Sequence, residues 1–158
     1  MDEIIDLTIK LAKPFEGLHK IGEDGLIYAY ADPVGFSTQG WGRLLSRNPW
    51  EDLSKYPPIT QDQAEEWLRQ DLKKAVSAAL RLCPGATTNQ QCAALTDFAF
   101  NCGAGNLEIS TLRRKVNRGD FAGAELEFER WVYARGVKLP GLVRRRKAEA
   151  NLFVSSSP

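Results

Sequence analysis

The chain has 158 residues, of which 43% are hydrophobic and 26% are charged, and its formal net charge is +1. This size and composition are typical of a single globular domain and exclude disordered, collagen-like and disulfide-stapled chains. No stretch approaches the roughly 20 apolar residues that cross a bilayer. The first residues are acidic and lack the basic start of a secretory signal. We therefore expect a cytoplasmic protein that does not insert into membranes.

The charges are unevenly distributed along the chain. Residues 1–80 contain 9 Lys/Arg and 13 Asp/Glu, whereas residues 81–158 contain 12 Lys/Arg and 7 Asp/Glu. The basic half could face an anionic polymer. Screening at physiological salt favours the simpler interpretation of solvated helix faces, so no nucleic-acid partner is expected.

Three cysteines, Cys83, Cys92 and Cys102, lie in apolar helical stretches without metal-ligand spacing. The pattern favours buried thiols. It leaves open a bridge from Cys92 to either of the other two.

The first half of the chain predicts a helix followed by a small sheet. Residues 3–12 carry isoleucines and leucine among charges, which suits a short amphipathic helix that Pro14 ends or offsets. Glycines punctuate short apolar runs over residues 22–42, a pattern typical of an antiparallel sheet with tight turns. Residues 43–58 contain several prolines and predict a loop.

The second half predicts helices. Thr60-x-x-Gln63 and Thr88-x-x-Gln91 have the form of capping boxes. The first box opens a long helix to about residue 82, and the second opens a central buried helix that Gly103 and Gly105 end. Further helices are predicted over residues 111–117, 121–134 and 141–153, and the tail at 155–158 is expected to fray.

Together these elements predict one α+β domain over residues 1–158. We expect a small N-terminal β-hairpin lobe over about 13–59 and a larger helical C-terminal lobe over 60–158. A long helix joins them, and helix 1–12 packs on the C-terminal lobe. A polymer would lie in a cleft between the lobes.

The inventory of reactive residues points to carboxylate chemistry. His19 is the single histidine, so a zinc site or a histidine-based triad is not favoured, and no phosphate-binding loop is present. We expect neither a metal nor another cofactor.

Two acids stand out by their setting. Glu16 lies between Phe15 and Gly17, where loss of solvation would raise its pKa toward the value that a general acid needs. Asp32 lies in a turn rich in Gly and Pro, where polar groups can keep it ionised. Two carboxyls in such different environments suit the acid and base of a glycosidase.

Three blocks of sequence resemble the phage-type lysozymes, glycoside hydrolase family 24. The first block is PFEGL at 14–18 with YADPVGFSTQGWG at 30–42. The second is ALTDFAFNCG at 94–103 with STL at 110–112, and the third runs from GDF at 119–121 through Trp131 to LPGLVRRRKAE at 139–149. The blocks occur in family order and cover most of residues 12–153.

The resemblance implies a muramidase that hydrolyses the β-1,4 bond between N-acetylmuramic acid and N-acetylglucosamine in peptidoglycan. Glu16 matches the family's proton donor and Asp32 its second carboxylate. Thr38 would help to hold the attacking water, which suits an inverting mechanism.

Further roles are implied in the second half of the chain. Phe100, Asn101 and Thr111 match positions that bind the sugar, and for Phe100 a role in the core is at least as well supported by its place on the helix. One arginine among residues 144–146 would pair with Glu16, and Arg145 is the preferred candidate.

The chain departs from the family pattern at three points. The spacing between the two carboxyls is seven residues longer than in compact members, and the extra stretch contains the rival acids Glu23 and Asp24. Arg43 stands where the family often has histidine, and Gln39 replaces a usual aliphatic residue.

The preferred interpretation is a monomeric endolysin. It would fold in the host cytoplasm and act on the periplasmic wall after a separate protein permeabilises the membrane. A non-catalytic glycan-binding module and a lytic transglycosylase are the alternatives.

Overall fold

The computed structural model describes residues 1–155 and has seven α-helices and five short strands in that range. The predicted fraying of the tail falls mainly on residues 156–158, which lie outside the described range. In chain order the elements are α1 (Asp2–Glu16), β1 (Tyr30–Ala31), β2 (Ser37–Gln39), β3 (Arg43–Ser46), a 3-10 turn (Leu53–Lys55), α2 (Gln61–Leu82), α3 (Asn89–Cys102), α4 (Ala104–Ile109), α5 (Thr111–Asn117), α6 (Phe121–Phe128), β4 (Tyr133–Ala134), β5 (Val137–Lys138) and α7 (Pro140–Val154).

The chain divides into two compact units. The sheet unit comprises Glu16–Asp71, and the helical unit comprises Met1–Phe15 together with residues 72–155. The sequence places the lobe boundary near residue 59, whereas the structure divides the units inside α2. Among the helices of residues 1–155, none combines the length and apolar character that a membrane crossing requires.

The sheet unit is built around the antiparallel order β1-β2-β3. Outside these strands, isolated antiparallel bridges join Ile27 to Ile21 and to Ile59. The register between β2 and β3 shifts at Ser37/Thr38. The prediction of a loop over residues 43–58 is wrong for Arg43–Ser46, which form β3 and pair with β2. The prolines of this segment all come after the strand.

Helix α1 continues through Pro14 to Glu16, so the first of the two predicted alternatives, that Pro14 ends the helix, is wrong. The missing N–H of a proline removes one intrahelical hydrogen bond, and only Phe15 and Glu16 follow Pro14 in the helix. The extra turn brings Glu16 to the last position of the helix.

The helical unit is organised around α3, in which every residue from Gln91 to Ala99 is buried. This confirms the predicted central helix. Its predicted N-cap is also present: the Thr88 hydroxyl accepts a hydrogen bond from the Gln91 amide at 3.1 Å, and Gln91 Oε1 accepts from the Thr87 amide at 2.7 Å. Helix α3 packs chiefly against α7, and a core of aromatic and aliphatic side chains fills the unit.

Two elements of the helical unit differ from the prediction. Helix α6 ends at Phe128 rather than near residue 134, and a hairpin of β4 and β5 follows. Arg135 and Gly136 both have positive φ, which is the requirement of the tight two-residue turn that joins such strands. The short helix α4 occupies the segment after Gly103 that was predicted only as a helix end.

Candidate active site

The backbone of a tight turn holds the Asp32 carboxyl. Asp32 Oδ1 accepts hydrogen bonds from the amides of Val34 and Phe36, both at 2.9 Å, and the Gly35 amide donates to the Asp32 carbonyl at 2.9 Å. Among residues 1–155, both hydrogen bonds that the side chain accepts end on Oδ1. The other oxygen is therefore available to a water or a substrate at the edge of the sheet.

Thr38 lies close to this turn because the two share Phe36. The Phe36 carbonyl accepts from the Asp32 amide at 2.9 Å and from the Thr38 hydroxyl at 3.0 Å. The proton of the hydroxyl is thus directed to a carbonyl rather than to a carboxylate. The oxygen of Thr38 can still accept a hydrogen bond from water.

Glu16 and Tyr30 are the other two side chains of the candidate site, in addition to Asp32 and Thr38. A Cβ atom added to Gly42 would lie 3.0 Å from Glu16 Oε2, so this glycine, with φ of +92°, leaves room for the carboxyl. Tyr30 pairs with Thr38 across β1 and β2. Burial and then the negative charges of Glu16 and Asp32 raise the pKa of Tyr30, so both acids lie within electrostatic range of its phenol.

The Glu51 carboxylate anchors the reverse side of β2. It accepts hydrogen bonds from Ser37 Oγ at 2.6 Å, Tyr56 Oη at 2.5 Å and Lys55 Nζ at 2.7 Å. The hydrogen bonds from Lys55, Ser37 and Tyr56 lower the pKa of Glu51 to about 2. Ser37 is fully buried and lies beside Thr38 at the register shift, so this network fixes the strand where it turns Thr38 toward Tyr30.

Gly35 allows the Trp50 ring to pack closely against the turn that holds Asp32. An added Cβ would lie 2.5 Å from the Trp50 ring, and φ of Gly35 is +90°. The Trp50 amide donates to the Gly35 carbonyl at 2.9 Å. A larger residue at position 35 would displace the turn that holds Asp32.

The rival acids of the longer loop have different settings. Asp24 accepts from the Leu26 amide at 2.9 Å and from Tyr28 Oη at 2.5 Å, and the Tyr28 bond is the main reason that its pKa is lowered. Glu23 is exposed. Asp24 therefore closes its own loop, and its contacts are those of a turn-forming aspartate.

The chain is similar to known phage proteins over nearly its whole length. The family model described as phage lysozyme matches residues 20–149. An endolysin of Acyrthosiphon pisum secondary endosymbiont phage 1 is 34% identical over 97% of this chain and 99% of its own length. An endolysin of Bacillus phage PZA is 35% identical over 99% of this chain, which spans 57% of that relative. The SAR-endolysin of Enterobacteria phage P21 is 46% identical over 83% of this chain and 77% of its own length.

The chain belongs to the phage lysozyme family. It is therefore a glycoside hydrolase of the lysozyme class, which degrades peptidoglycan.

Solved structures agree with the predicted lysozyme-like α+β fold. The endolysin from Escherichia coli O157:H7 phage FAHEc1 has a TM-score of 0.79, with 28% identity over 96% of this chain and 92% of that one. The muramidase domain of SpmX from Asticaccaulis excentricus has a TM-score of 0.76, with 29% identity over 96% of this chain and 95% of that one. Both likenesses cover nearly all of each chain.

Arg43 and Gln39, the two other residues at which this lysozyme departs from the family pattern, each contact side chains or carbonyls of the sheet unit. Arg43 Nη2 lies 3.3 Å from Asp71 Oδ1, and its guanidinium carbon lies 4.8 Å from the centre of the Trp67 ring. Gln39 is buried, and its Nε2 donates to the carbonyls of Ile27 at 3.0 Å and Pro57 at 3.1 Å. The polar substitutions are thus accommodated without an unsatisfied buried amide.

The predicted sugar-binding residues lie in the helical unit. Phe100 is half-buried on α3, and Asn101 is exposed with its Oδ1 accepting from Arg146 Nη2 at 2.6 Å. Thr111 is half-buried and its Oγ1 accepts from Arg114 Nη2 at 2.8 Å. Their role in sugar binding stays a prediction.

Arg145 belongs to a buried ionic cluster. Its Nε and Nη2 donate to the two oxygens of Asp97 at 2.9 and 2.8 Å, a bidentate pair, and its guanidinium lies over the Phe15 ring. The partner Asp97 lies in the second sequence block, but no spacing signal identifies it. The pairing of Arg145 with Glu16 stays a prediction.

Two residues of the site were missed by the sequence analysis. Tyr30 lies inside the quoted motif but was not assigned a role. Tyr30 and Asp32 are two positions apart, and in an extended chain this spacing places two side chains on the same face. Glu51 lies outside every motif. Its contact with Ser37 spans 14 positions and depends on the path of the intervening loop, so no local pattern could have shown it.

Proposed function

We propose that this lysozyme hydrolyses the β-1,4 bond between N-acetylmuramic acid and N-acetylglucosamine, with Glu16 as the proton donor. The observation that carries the proposal is the grouping of four side chains within the sheet unit: Glu16, Tyr30, Asp32 and Thr38. Two carboxyls are the groups that an acid–base glycosidase requires, and a hydroxyl beside them can help to hold the water.

In the first part of the reaction Glu16 acts on the leaving group. Its carboxyl, at the end of α1 and half-buried, donates a proton to the glycosidic oxygen as the bond to the anomeric carbon breaks. Gly42 supports this role because the space that a side chain would fill is left to the carboxyl and the substrate.

Asp32 and Thr38 act on the water. The Thr38 oxygen accepts one hydrogen bond from the water, and the carboxylate of Asp32 takes the other proton as the water attacks the anomeric carbon. Attack on the face opposite the departing oxygen inverts the anomeric centre and needs the two carboxyls roughly 6.5–9.5 Å apart. The turn from Asp32 to Phe36 supports the role, since three hydrogen bonds fix it relative to Thr38.

Tyr30 is assigned a positioning role between the two acids. Its raised pKa means that the phenol keeps its proton throughout the neutral range, so it remains a hydrogen-bond donor beside two carboxyls. Arg145 as the partner of Glu16, and Phe100, Asn101 and Thr111 as sugar contacts, complete the proposed machinery.

The proposed setting is lysis of the phage host by a monomeric enzyme that uses no nucleic-acid partner and does not insert into the membrane. It would fold in the host cytoplasm and reach the periplasmic wall once the membrane is permeabilised. Fractionation of an intact expressing host tests this, because the proposal requires the protein in the cytoplasmic fraction. Finding it in the membrane or periplasm before permeabilisation would contradict it.

The decisive experiment compares wild type and Glu16→Gln on purified peptidoglycan. We expect the variant to lose activity by about 10²–10⁴-fold, the contribution of a general acid, with an unchanged melting temperature. Residual activity above a few per cent would exclude Glu16 as the acid.

Product analysis separates the alternatives. Mass spectrometry of the wild-type digest should show hydrated reducing ends. An anhydro sugar would indicate a lytic transglycosylase, and binding without release of fragments would indicate a glycan-binding module.

A further inference from the structure

A cavity of about 550 Å³ adjoins Asp32 within the sheet unit. Six residues line it: His19, Lys20, Tyr30, Ala31, Asp32 and Pro33. Two of the six, Tyr30 and Asp32, belong to the proposed catalytic group. The cavity is therefore continuous with the place where the glycan is cleaved.

Aromatic side chains form one wall of this cavity. The rings of His19 and Tyr30 meet edge to face, with centroids 5.4 Å apart. His19 also lies over Gly17: a Cβ added there would be 3.2 Å from Nε2, and φ of Gly17 is +70°. The turn directly after Glu16 thus seats His19 against Tyr30 and gives the cavity a rigid face of a kind that packs well against a sugar ring.

Lys20 supplies the cationic group of the cavity lining. Its backbone has φ of +59°, a conformation that a lysine rarely adopts, and its carbonyl accepts from the Tyr28 amide at 3.0 Å. The loop that contains Glu23 and Asp24 follows Lys20, and the bridge of Ile21 with Ile27 closes it. The loop therefore holds a strained residue at the cavity rim, which is a common feature of binding sites.

We propose that this cavity is a subsite for a muramyl sugar and that Lys20 binds the carboxylate on its lactyl-peptide arm. The inference rests on the proposed function and adds which part of the substrate the enzyme recognises. The sugar ring lies against His19 and Tyr30. The arm extends toward Lys20 and away from Asp32, whose negative charge repels a second carboxylate.

The chemistry favours this occupant over a neutral sugar. A wall of two rings fits any pyranose, but an ammonium beside such a wall improves binding only for a ligand with a negative group. N-acetylglucosamine is neutral, whereas the muramyl sugar has a lactyl group that ends in a carboxylate or continues into an acidic peptide.

Binding by calorimetry tests the inference in the catalytically inactive Glu16→Gln protein. Three ligands are compared: a muramyl disaccharide with its peptide, the same disaccharide with a free lactyl carboxylate, and chitobiose. We expect Lys20→Glu to weaken binding of a carboxylate-bearing ligand by about tenfold and to leave chitobiose unchanged. Loss with the peptide-bearing ligand alone identifies the peptide as the source of the carboxylate, and loss with the free lactyl carboxylate alone identifies the lactyl group. Loss with both shows that Lys20 binds either carboxylate.

Lys74→Glu is the matched control, because Lys74 is exposed on α2 and the charge change is the same. Lys20→Arg should retain binding, since it keeps the positive charge. His19→Ala should weaken all three ligands several-fold. Melting temperatures identify any variant that fails to fold, and Lys20→Gln then replaces Lys20→Glu.

Equal binding by the Lys20→Glu and Lys74→Glu proteins would overturn the subsite, and so would equal losses for chitobiose and the charged ligands. Neither result would touch the proposed function, which fails instead if wild type releases no fragments from peptidoglycan. Because the binding assay uses an inactive background, failure of the subsite and failure of the hydrolysis are distinguishable.

Discussion

The two units hold acidic side chains in opposite ways. In the helical unit Asp97 and Glu149 are fully buried, and arginine contacts both: Arg145 pairs with Asp97, and Arg146 Nε lies 2.7 Å from Glu149. In the sheet unit Asp32 is only half-buried, and its partners are backbone amides.

The pKa values of Asp97 and Glu149 shift in opposite directions, because the two buried carboxyls interact with each other. Burial and the neighbouring Asp97 raise the pKa of Glu149 well above its usual range. Burial also disfavours the charge of Asp97, but hydrogen bonds from Glu149 and Arg145 outweigh it and lower the pKa of Asp97. The comparison teaches that strongly perturbed acids are not by themselves catalytic: here the most perturbed pair holds helices together, and Asp32, the proposed catalytic base, lines a cavity.

The largest effect that tests this comparison is expected at Asp32. Asp32→Asn removes the base while it keeps an oxygen to accept the turn's hydrogen bonds. We expect turnover to fall by about 10²–10⁴-fold with little change in melting temperature, measured by clearing of permeabilised Gram-negative cells.

Asp24→Asn is the control for that variant, because both acids close turns of the sheet unit. Its activity should stay near wild type. If Asp24→Asn were the more damaging of the two, the second carboxylate would have to be reassigned to the inserted loop.

The reverse pattern is expected for Asp97. Asp97→Ala leaves the buried Arg145 without its bidentate partner and should lower the free energy of unfolding by about 3–5 kcal/mol, measured by urea titration. The half-buried Asp120, which caps α6 through the Gly123 amide at 2.9 Å, provides the control. Asp120→Ala should cost about 1 kcal/mol. Equal losses for the two would show that the buried pair has no special role.

The smallest effect is expected at Glu51. Its folded-state pKa of about 2 lies below the ordinary value of 4.5, so the folded state gains stability from the ionised carboxylate above about pH 4.5 and loses it as the pH falls toward 2. Glu51→Gln should therefore melt at a lower temperature at pH 7 and show a weaker decline between pH 4.5 and 2. Its turnover should fall by less than about tenfold, since Ser37 and Thr38 lose an anchor but no reacting group.

A melting curve for Glu51→Gln that keeps the wild-type decline below pH 4.5 would contradict this assignment. So would a change in KM without a change in turnover, because Glu51 acts on the strand that holds Thr38.

Local sequence patterns predicted most of the helical elements. The caps at Thr60, Thr88, Ser110 and Asp120 all accept the expected amide hydrogen bonds, because a cap depends only on residues three positions apart. Strands were harder to predict: β3 and the hairpin after α6 are short, and their pairing depends on a partner rather than on their own composition.

The residues of the site also fall into two sets: those that sequence motifs identified and those that only the tertiary structure revealed. The ordered motifs identified Glu16, Asp32 and Thr38 as candidates, and their resemblance to one family established the class of enzyme, since a short motif records which residue types the chemistry needs. The tertiary structure alone decided that Tyr30 lies near Glu16, that Glu51 anchors the strand through Ser37 and that Asp97 holds Arg145. Each of these three pairs is distant in sequence, and only the folded chain brings its members within hydrogen-bond or electrostatic range.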